Sequence, residues 1–195
     1  MGDGVILVGE LETMLKEWKF VLVDIKGKSG GLLLGWRFRQ FHLINAWVVY
    51  SSLCVRLYSI ELKLDFCFVN VYGPYVNREY FWNNLFCLEC LSYNNFILRG
   101  DFNYSMGFSK VWGTKSKVDS LSDYFFRLMD GFGLVDLVPS IIPPTWTNRR
   151  VGCENICKRL DRMLISANLL DSNMHFRQWV GCGGIQTISL FFCMF

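Results

Sequence analysis

No stretch of this sequence is long and apolar enough to cross a bilayer as a helix, which takes about 20 such residues. The apolar tail "ISLFFCMF" falls far short of that, and its Cys193 stands third from the end, whereas prenylation uses the fourth position. A secretory leader is missing from the opening "MGDGVILVGELE", whose short apolar run carries an Asp and no basic flank. These absences predict a chain without membrane attachment, nuclear or cytoplasmic, whose thiols stay reduced. Internal repeats and low-complexity linkers are lacking too, which excludes solenoids and flexible spacers. Charge of one sign is scarce: the net value is only +3, so overall electrostatics do not announce a nucleic-acid binder and a local patch would have to.

What is abundant is apolar and aromatic side chain, 52% and 16% of 195 residues, with 17 Phe, 8 Tyr and 7 Trp. That length supports one domain, residues 1–195, with a large core that must be well closed. The 8 cysteines are irregularly spaced. Cys87 and Cys90 form a C-x-x-C inside "NREYFWNNLFCLECLS", where Tyr80, Phe81, Leu85 and Leu88 recur at helical spacing. With no second pair at ligand spacing, the two read as small core hydrophobes rather than zinc ligands.

The pattern predicts a short strand at Val5 to Val8, then two β-rich runs in "KFVLVDIKGKSGGLLLGWR" around a turn at Gly27 to Gly31. Strands follow at Trp47 to Cys54, Arg56 to Lys63 and Phe66 to Tyr72, the last ended by Gly73-Pro74. A helix begins after Asn77 and leads into the strand "NFILRGD". A second helix, capped by Ser120 or Ser122, buries Leu121, Phe125, Leu128 and Met129 and stops at Gly131. "PPTWTN" and "ICKRLDRMLIS" supply further strands, the latter with Leu160, Met163 and Ile165 inward. The order predicts an α/β or α+β fold, with sheets covered by helices.

Chemistry concentrates in "ILRGDFN". Alternation places Asp101 and Asn103 on one side of a strand end, with Phe102 in the core. A carboxylate and an amide so placed suit in-line attack on a phosphodiester, and they suit an Asx-type turn equally well. In "NRRVGCENICKRLDR", Arg149, Arg150, Lys158, Arg159 and Arg162 outnumber Glu154 and Asp161. They are either a phosphate-binding face or a solvated loop and strand edge. Tyr72 reads by itself as a core tyrosine, Asp161 as a salt-bridge partner of Arg159 or Arg162, and Trp146 as packing.

Taken together and in order, "NVYGP", "GDFN", "PTWTN" and "KRLDRMLIS" resemble the endonuclease/exonuclease/phosphatase family. The likeness is greatest to the apurinic-endonuclease-like domain of plant LINE-type retrotransposons, to which "GKSGGLLLGWR" and "FWNNL" are also similar. The resemblance spans about Gly27 to Gly184. It implies a four-layer α/β sandwich of two packed mixed sheets flanked by helices, DNA as the partner, and Mg2+ or Mn2+ as the cofactor. By the same resemblance, Tyr72 contacts the scissile phosphate and Asp101 positions or deprotonates the attacking water, with metal binding as a further role. Asn103 steadies the phosphate or its metal, and Asp161 orients a catalytic histidine. Glu12, followed by Thr13 in "ELETML", stands nearest to the family's metal-binding glutamate, with Leu11 where Gln is expected; an exposed helix-start glutamate is the alternative.

Two family features have no counterpart. No strand with a "WN-x-R-G" pattern precedes Glu12, and neither His42 nor His175 lies in an "SDH-x-P" motif. The resemblance therefore implies a degenerate copy, cut short at its start. Its tail "IQTISLFF" is compatible with codons that spell Ser-Asp-His-Phe-Pro-Ile-Phe when read from the third base of the Ile185 codon, so a frameshift is expected there. Activity is expected to be very low. A non-catalytic nucleic-acid-binding remnant, a functionless pseudogene product and a lipid phosphodiesterase are the alternatives.

Overall fold

The structure is a computed structural model that describes residues 3–23, 31–88, 95–105, 107, 111–113, 117–138, 144–171, 175–178 and 191–194, with 3–4, 175–178 and 191–194 described by backbone alone. The fold is α/β, with mixed and antiparallel sheets flanked by helices, as the sequence predicts. Two compact units divide it, Met1–Leu98 and Arg99–Phe195.

In the first unit, helix α1 (Asp3–Met14) is followed by β1 (Trp18–Val23), β2 (Leu32–Arg37), β3 (Phe41–Val49), β4 (Ser52–Ser59), β5 (Leu64–Tyr72) and α2 (Arg78–Phe86). Strand β6 (Phe96–Asp101) runs across the boundary. The strand expected at Val5 to Val8 is the first half of α1. A four-residue apolar run does not distinguish strand from helix, and "ELETM" continues it with helix formers. Val5, Ile6 and Leu7 accordingly stay exposed instead of entering a sheet.

Strands β1 and β2 pair antiparallel from Trp18↔Arg37 to Val23↔Leu32; the expected turn between them lies outside the described residues. Strands β3, β4 and β5 form consecutive antiparallel hairpins. Their boundaries correct two expectations. Tyr50, at φ 52, turns the chain so that Val49 pairs with Ser52, which splits the expected Trp47 to Cys54 strand in two. The next strand ends at Ser59, because Ile60 to Lys63 form the second hairpin loop, with Lys63 at φ 54 and the Leu62 N–H bonded to Ser59 Oγ at 3.2 Å.

Strand β4 buries Leu53, Cys54, Val55 and Leu57, and β5 buries Phe66, Cys67, Val69 and Val71. Strand β2 packs over both, and Asn70 Nδ2 on β5 donates to the Leu33 carbonyl on β2 at 3.1 Å. Helix α2 follows Asn77, which is left-handed at φ 53. It buries Phe81, Trp82, Leu85 and Phe86, whereas Tyr80, expected inside, is exposed. Cys87 is exposed as well, so it is no core hydrophobe; Cys90 lies outside the described residues.

In the second unit, the end of β6, β11 (Asp161–Ser166) and β8 (Leu134–Asp136) lie side by side. Strands β11 and β8 are antiparallel, with Leu164↔Asp136, Ile165↔Val135 and Ser166↔Leu134. A small sheet of order β7 (Val111–Trp112), β10 (Cys157–Lys158), β9 (Trp146–Thr147) is also antiparallel. Helix α3 (Ser122–Gly131) starts in the expected region and buries Phe125 and Met129, with Leu128 half-buried; its N-cap is Leu121, itself half-buried, without a side-chain cap bond, so neither Ser120 nor Ser122 caps it as expected. The chain reverses through Gly133, at φ 57, into β8, and the Gly133 carbonyl accepts the N–H of Ala167, the first residue of α4 (Ala167–Leu170), at 2.8 Å. Strands β12 (His175–Gln178) and β13 (Phe191–Met194) pair antiparallel, while residues 179–190, including most of the expected frameshifted stretch, lie outside the described residues.

Candidate functional site

Strand β6 begins with Phe96, Ile97 and Leu98 fully enclosed and ends with Arg99, Gly100 and Asp101 half-buried. Its apolar half anchors it, and its polar half emerges beside the start of β11. The junction is one backbone bond: the Phe102 N–H donates to the Leu160 carbonyl at 3.0 Å. Asp101 precedes the donor and Asp161 follows the acceptor, so residues 60 positions apart in the chain are neighbours in space.

Phe102 is fully buried against Phe125, with ring centroids 5.8 Å apart, as alternation predicts. Asn103 reaches the site by another route. Its backbone is left-handed at φ 50, and its N–H donates to Asp101 Oδ1 at 2.8 Å. The pair is thus joined by an Asx turn, not by strand pleating. The turn is what keeps Asn103 next to Asp101.

Charges crowd this corner. Burial first, and the nearby Asp161 charge second, push the Asp101 carboxyl up to about 6 against the opposing Asn103 N–H. Burial lowers Arg99 to about 9 even though the Asp161 charge opposes the shift. The Asp161 charge thus acts on both Arg99 and Asp101.

Those two arginines serve Asp136. Arg159 Nη2 lies 3.2 Å from Asp136 Oδ1, and Arg162 Nη1 lies 2.6 Å from Asp136 Oδ2. Arg159 Nη2 also donates to the Leu137 carbonyl at 3.2 Å, and the Arg162 guanidinium lies over the Tyr104 ring at 6.0 Å. With 1% and 0% of their surface exposed, neither can join a phosphate-binding face, which corrects the expectation for them. Arg149 and Arg150 are exposed on a loop organised by Asn148, and Lys158 is half-buried on β10. Asn148 Oδ1 accepts the Ile156 N–H at 3.0 Å, and its Nδ2 donates to the Glu154 carbonyl at 2.8 Å.

The remaining predicted residues belong to the first unit, apart from Trp146 and His175. Tyr72 ends β5 half-buried; its N–H donates to the Ser51 carbonyl at 2.9 Å and its carbonyl accepts the Ser51 hydroxyl. Glu12 lies near the end of α1, not its start, and is held by Lys19 Nζ at 3.0 Å and the Phe20 N–H at 3.4 Å. His42 is exposed on β3. It lines an open groove of about 460 Å³ with Lys19, Phe20, Trp36, Phe38 and Phe41, and no carboxylate is among the lining residues. His175 is described by backbone alone. Trp146, expected to pack, is 38% exposed on β9.

Among the described residues, no group of three or more His, Cys, Asp or Glu gathers to hold a metal. The Asp101 and Asp161 carboxylates with the Asn103 amide oxygen are nevertheless hard donors of the kind Mg2+ takes, one or two carboxylates with water completing the shell. The mutual repulsion that helps raise Asp101 is what a divalent cation between the two would relieve. The donor set therefore fits such an ion in kind.

Three residues of this corner carried no recognised signal in the sequence: Arg99, Asp136 and Thr145. Thr145 lies in "PTWTN", where the aromatic draws attention first. Its Oγ1 accepts the N–H groups of Leu160 at 2.9 Å and Asp161 at 3.0 Å.

No protein-family model matches the chain, and no curated protein does. Solved structures do. The endonuclease domain of TRAS1, a telomere-specific non-LTR retrotransposon, is similar with a TM-score of 0.61 at 16% identity, over 88% of this chain and 83% of that one. TDP2 of D. rerio, complexed with single-strand DNA product, gives 0.56 at 9% identity over 93% and 77%. An endonuclease/exonuclease/phosphatase family protein of Bacteroides thetaiotaomicron gives 0.53 at 12% identity over 97% and 75%. These likenesses show the fold, which is that of endonuclease/exonuclease/phosphatase proteins.

Proposed function

We propose that the chain is a degenerate copy of a divalent-metal-dependent phosphodiesterase, the DNA-nicking endonuclease of a plant LINE-type retrotransposon, and that residues 1–195 form one partial domain of that family. The observation that carries this reading is the meeting of Asp101, Asn103 and Asp161 around the Phe102–Leu160 backbone bond. A carboxyl titrating near 6 is matched to taking a proton from water at neutral pH. Asn103 offers an amide to a phosphoryl oxygen, and Arg99 places a cation within reach of the Asp161 charge. Magnesium or manganese, when bound at these oxygens, supplies Lewis-acid stabilisation of the phosphate charge. DNA as the substrate is supported by the retrotransposon endonuclease and the DNA-complexed relative among the similar folds.

Degeneracy rests on the sequence: neither His42 nor His175 lies in a Ser-Asp-His motif. Loss of one positioned acid or base removes about 10²- to 10⁴-fold of rate, so turnover is expected at that fraction of an intact enzyme's. The test is nicking of supercoiled plasmid in Mg2+ by the whole chain beside Asp101→Ala. Slow nicking that the substitution abolishes supports the reading. Equal signals from the two proteins end the enzyme reading and leave the non-catalytic ones.

A second reading, a non-catalytic nucleic-acid-binding remnant, is favoured by the exposed Arg149 and Arg150 on their ordered loop. It predicts a salt-sensitive gel shift without nicking. The nucleotide sequence around the Ile185 codon separates a frameshifted tail from an original one.

A further inference from the structure

We infer that Thr145 is a positioning residue: its hydroxyl oxygen captures the two N–H groups that open β11 and thereby fixes where the Asp161 carboxylate stands against Asp101 and Arg99. Successive N–H groups of an extended strand point to opposite edges. Two in a row on one oxygen, at 2.9 and 3.0 Å, therefore mark a bend at Leu160–Asp161 that the hydroxyl holds. Thr145 is itself tethered, its N–H donating to the Lys158 carbonyl at 2.9 Å. The Leu160 carbonyl, on the other side of the bend, accepts the Phe102 N–H that follows Asp101. One hydroxyl thus closes a continuous path from Asp161 through Leu160 to Asp101.

The residues on either side show why a backbone clamp matters here. Arg159 and Arg162 are both drawn to Asp136. Asp161 lies between them in sequence, and its own N–H is one of the two that Thr145 holds.

The catalytic consequence rests on the phosphodiesterase reading, and the clamp itself does not, so two measurements are paired. Thr145→Val keeps the shape and removes the acceptor; Thr145→Ser keeps the acceptor. In NMR-detected hydrogen exchange of the metal-free whole chain, Thr145→Val is expected to speed exchange of the Leu160 and Asp161 amides about tenfold relative to Met163 and Leu164, with Thr145→Ser close to the parent. Unchanged exchange in Thr145→Val, or equal acceleration along all of β11, overturns the inference. In Mg2+-dependent nicking, Thr145→Val is expected to lower kcat about tenfold with KM unchanged, and Thr145→Ser to restore it. If the parent shows no Asp101-dependent nicking, the phosphodiesterase reading fails and the exchange result decides the clamp. If nicking depends on Asp101 but Thr145→Val nicks like the parent, the positioning inference alone fails. Should Thr145→Val not fold, Thr145→Ala replaces it in both arms, with the same outcomes.

Discussion

Strands β4 and β11 are each enclosed along nearly their whole length, yet they are enclosed by different chemistry. Strand β4, in the first unit, turns Leu53, Cys54, Val55 and Leu57 into a dry interior, and its one charge, Arg56, stays half-exposed on Asp65. Strand β11, in the second, places Arg162 wholly inside, follows a buried Arg159, and opens on Asp161. Apolar strands of the first kind specify a sheet at little cost. Charged strands of the second kind cost desolvation that only well-placed partners offset. The candidate chemistry lies in the second kind, where local rules for a stable core are broken.

The sharpest way to break this contrast is to remove the partner the two arginines share. Asp136→Ala leaves two guanidiniums uncompensated in the interior, and breaking a buried pair in this way costs about 3–5 kcal/mol. Urea unfolding should show the loss as a lower midpoint. Replacing Asp136, Arg159 and Arg162 together by apolar residues of similar size should recover most of it, because no buried charge is then left alone. On the apolar side, Leu53→Ala in β4 is expected to cost about 3 kcal/mol through lost burial and a residual cavity. If Leu53→Ala costs clearly more than Asp136→Ala, the ion cluster is less enclosed than its geometry indicates.

The same contrast explains what could be read in the sequence. Period-2 patterning identified β5, and an apolar stripe identified α3 with Phe125 and Met129 inside, because each signal is local to its element. The adjacency of Asp101 and Asn103 was legible for the same reason. The β3–β4 turn was not: Tyr50 adopts a left-handed backbone inside a run of apolar residues, without the Gly or Asn that marks such turns. The partnership of Asp136 with Arg159 and Arg162 was hidden more deeply, since 23 and 26 residues separate the partners and no local pattern encodes the pairing. Thr145 lay in plain view in "PTWTN", but a hydroxyl that accepts two backbone N–H groups has no signature apart from the fold that brings them.

Asp101 gives a third comparison, between pH values. Its folded carboxyl titrates near 6 against 3.8 unfolded, so the folded state holds its proton more tightly. The stability this group contributes is complete below about pH 4 and is lost as pH rises through about 6. Asp101→Asn keeps an acceptor for the Asn103 N–H and removes the ionisation. It should stabilise the chain by on the order of 2 kcal/mol at pH 7.5 and by almost nothing at pH 4. Thermal unfolding of variant and parent at both values checks this, and a gain over the parent no larger at pH 7.5 than at pH 4 would show that the folded state does not hold the Asp101 proton more tightly.

The smallest stability change is expected where charge stays in water. Arg149 and Arg150 are exposed, and the Arg150–Glu154 contact is long, at 3.7 Å, between side chains 68% and 43% exposed. Such pairs contribute at most a few tenths of a kcal/mol, so Arg149→Ala with Arg150→Ala should leave the unfolding midpoint within about 0.5 kcal/mol of the parent. Their effect should emerge only with DNA. If the loop meets phosphates, the double variant binds more weakly to any sequence, and the slope of log affinity against log salt falls by about 2. An unchanged slope would place the DNA contacts elsewhere and end the binding role of this loop. A large drop in stability would mean that the two side chains support the loop that Asn148 organises, and the separation between charges that build the interior and charges that face a partner would not hold.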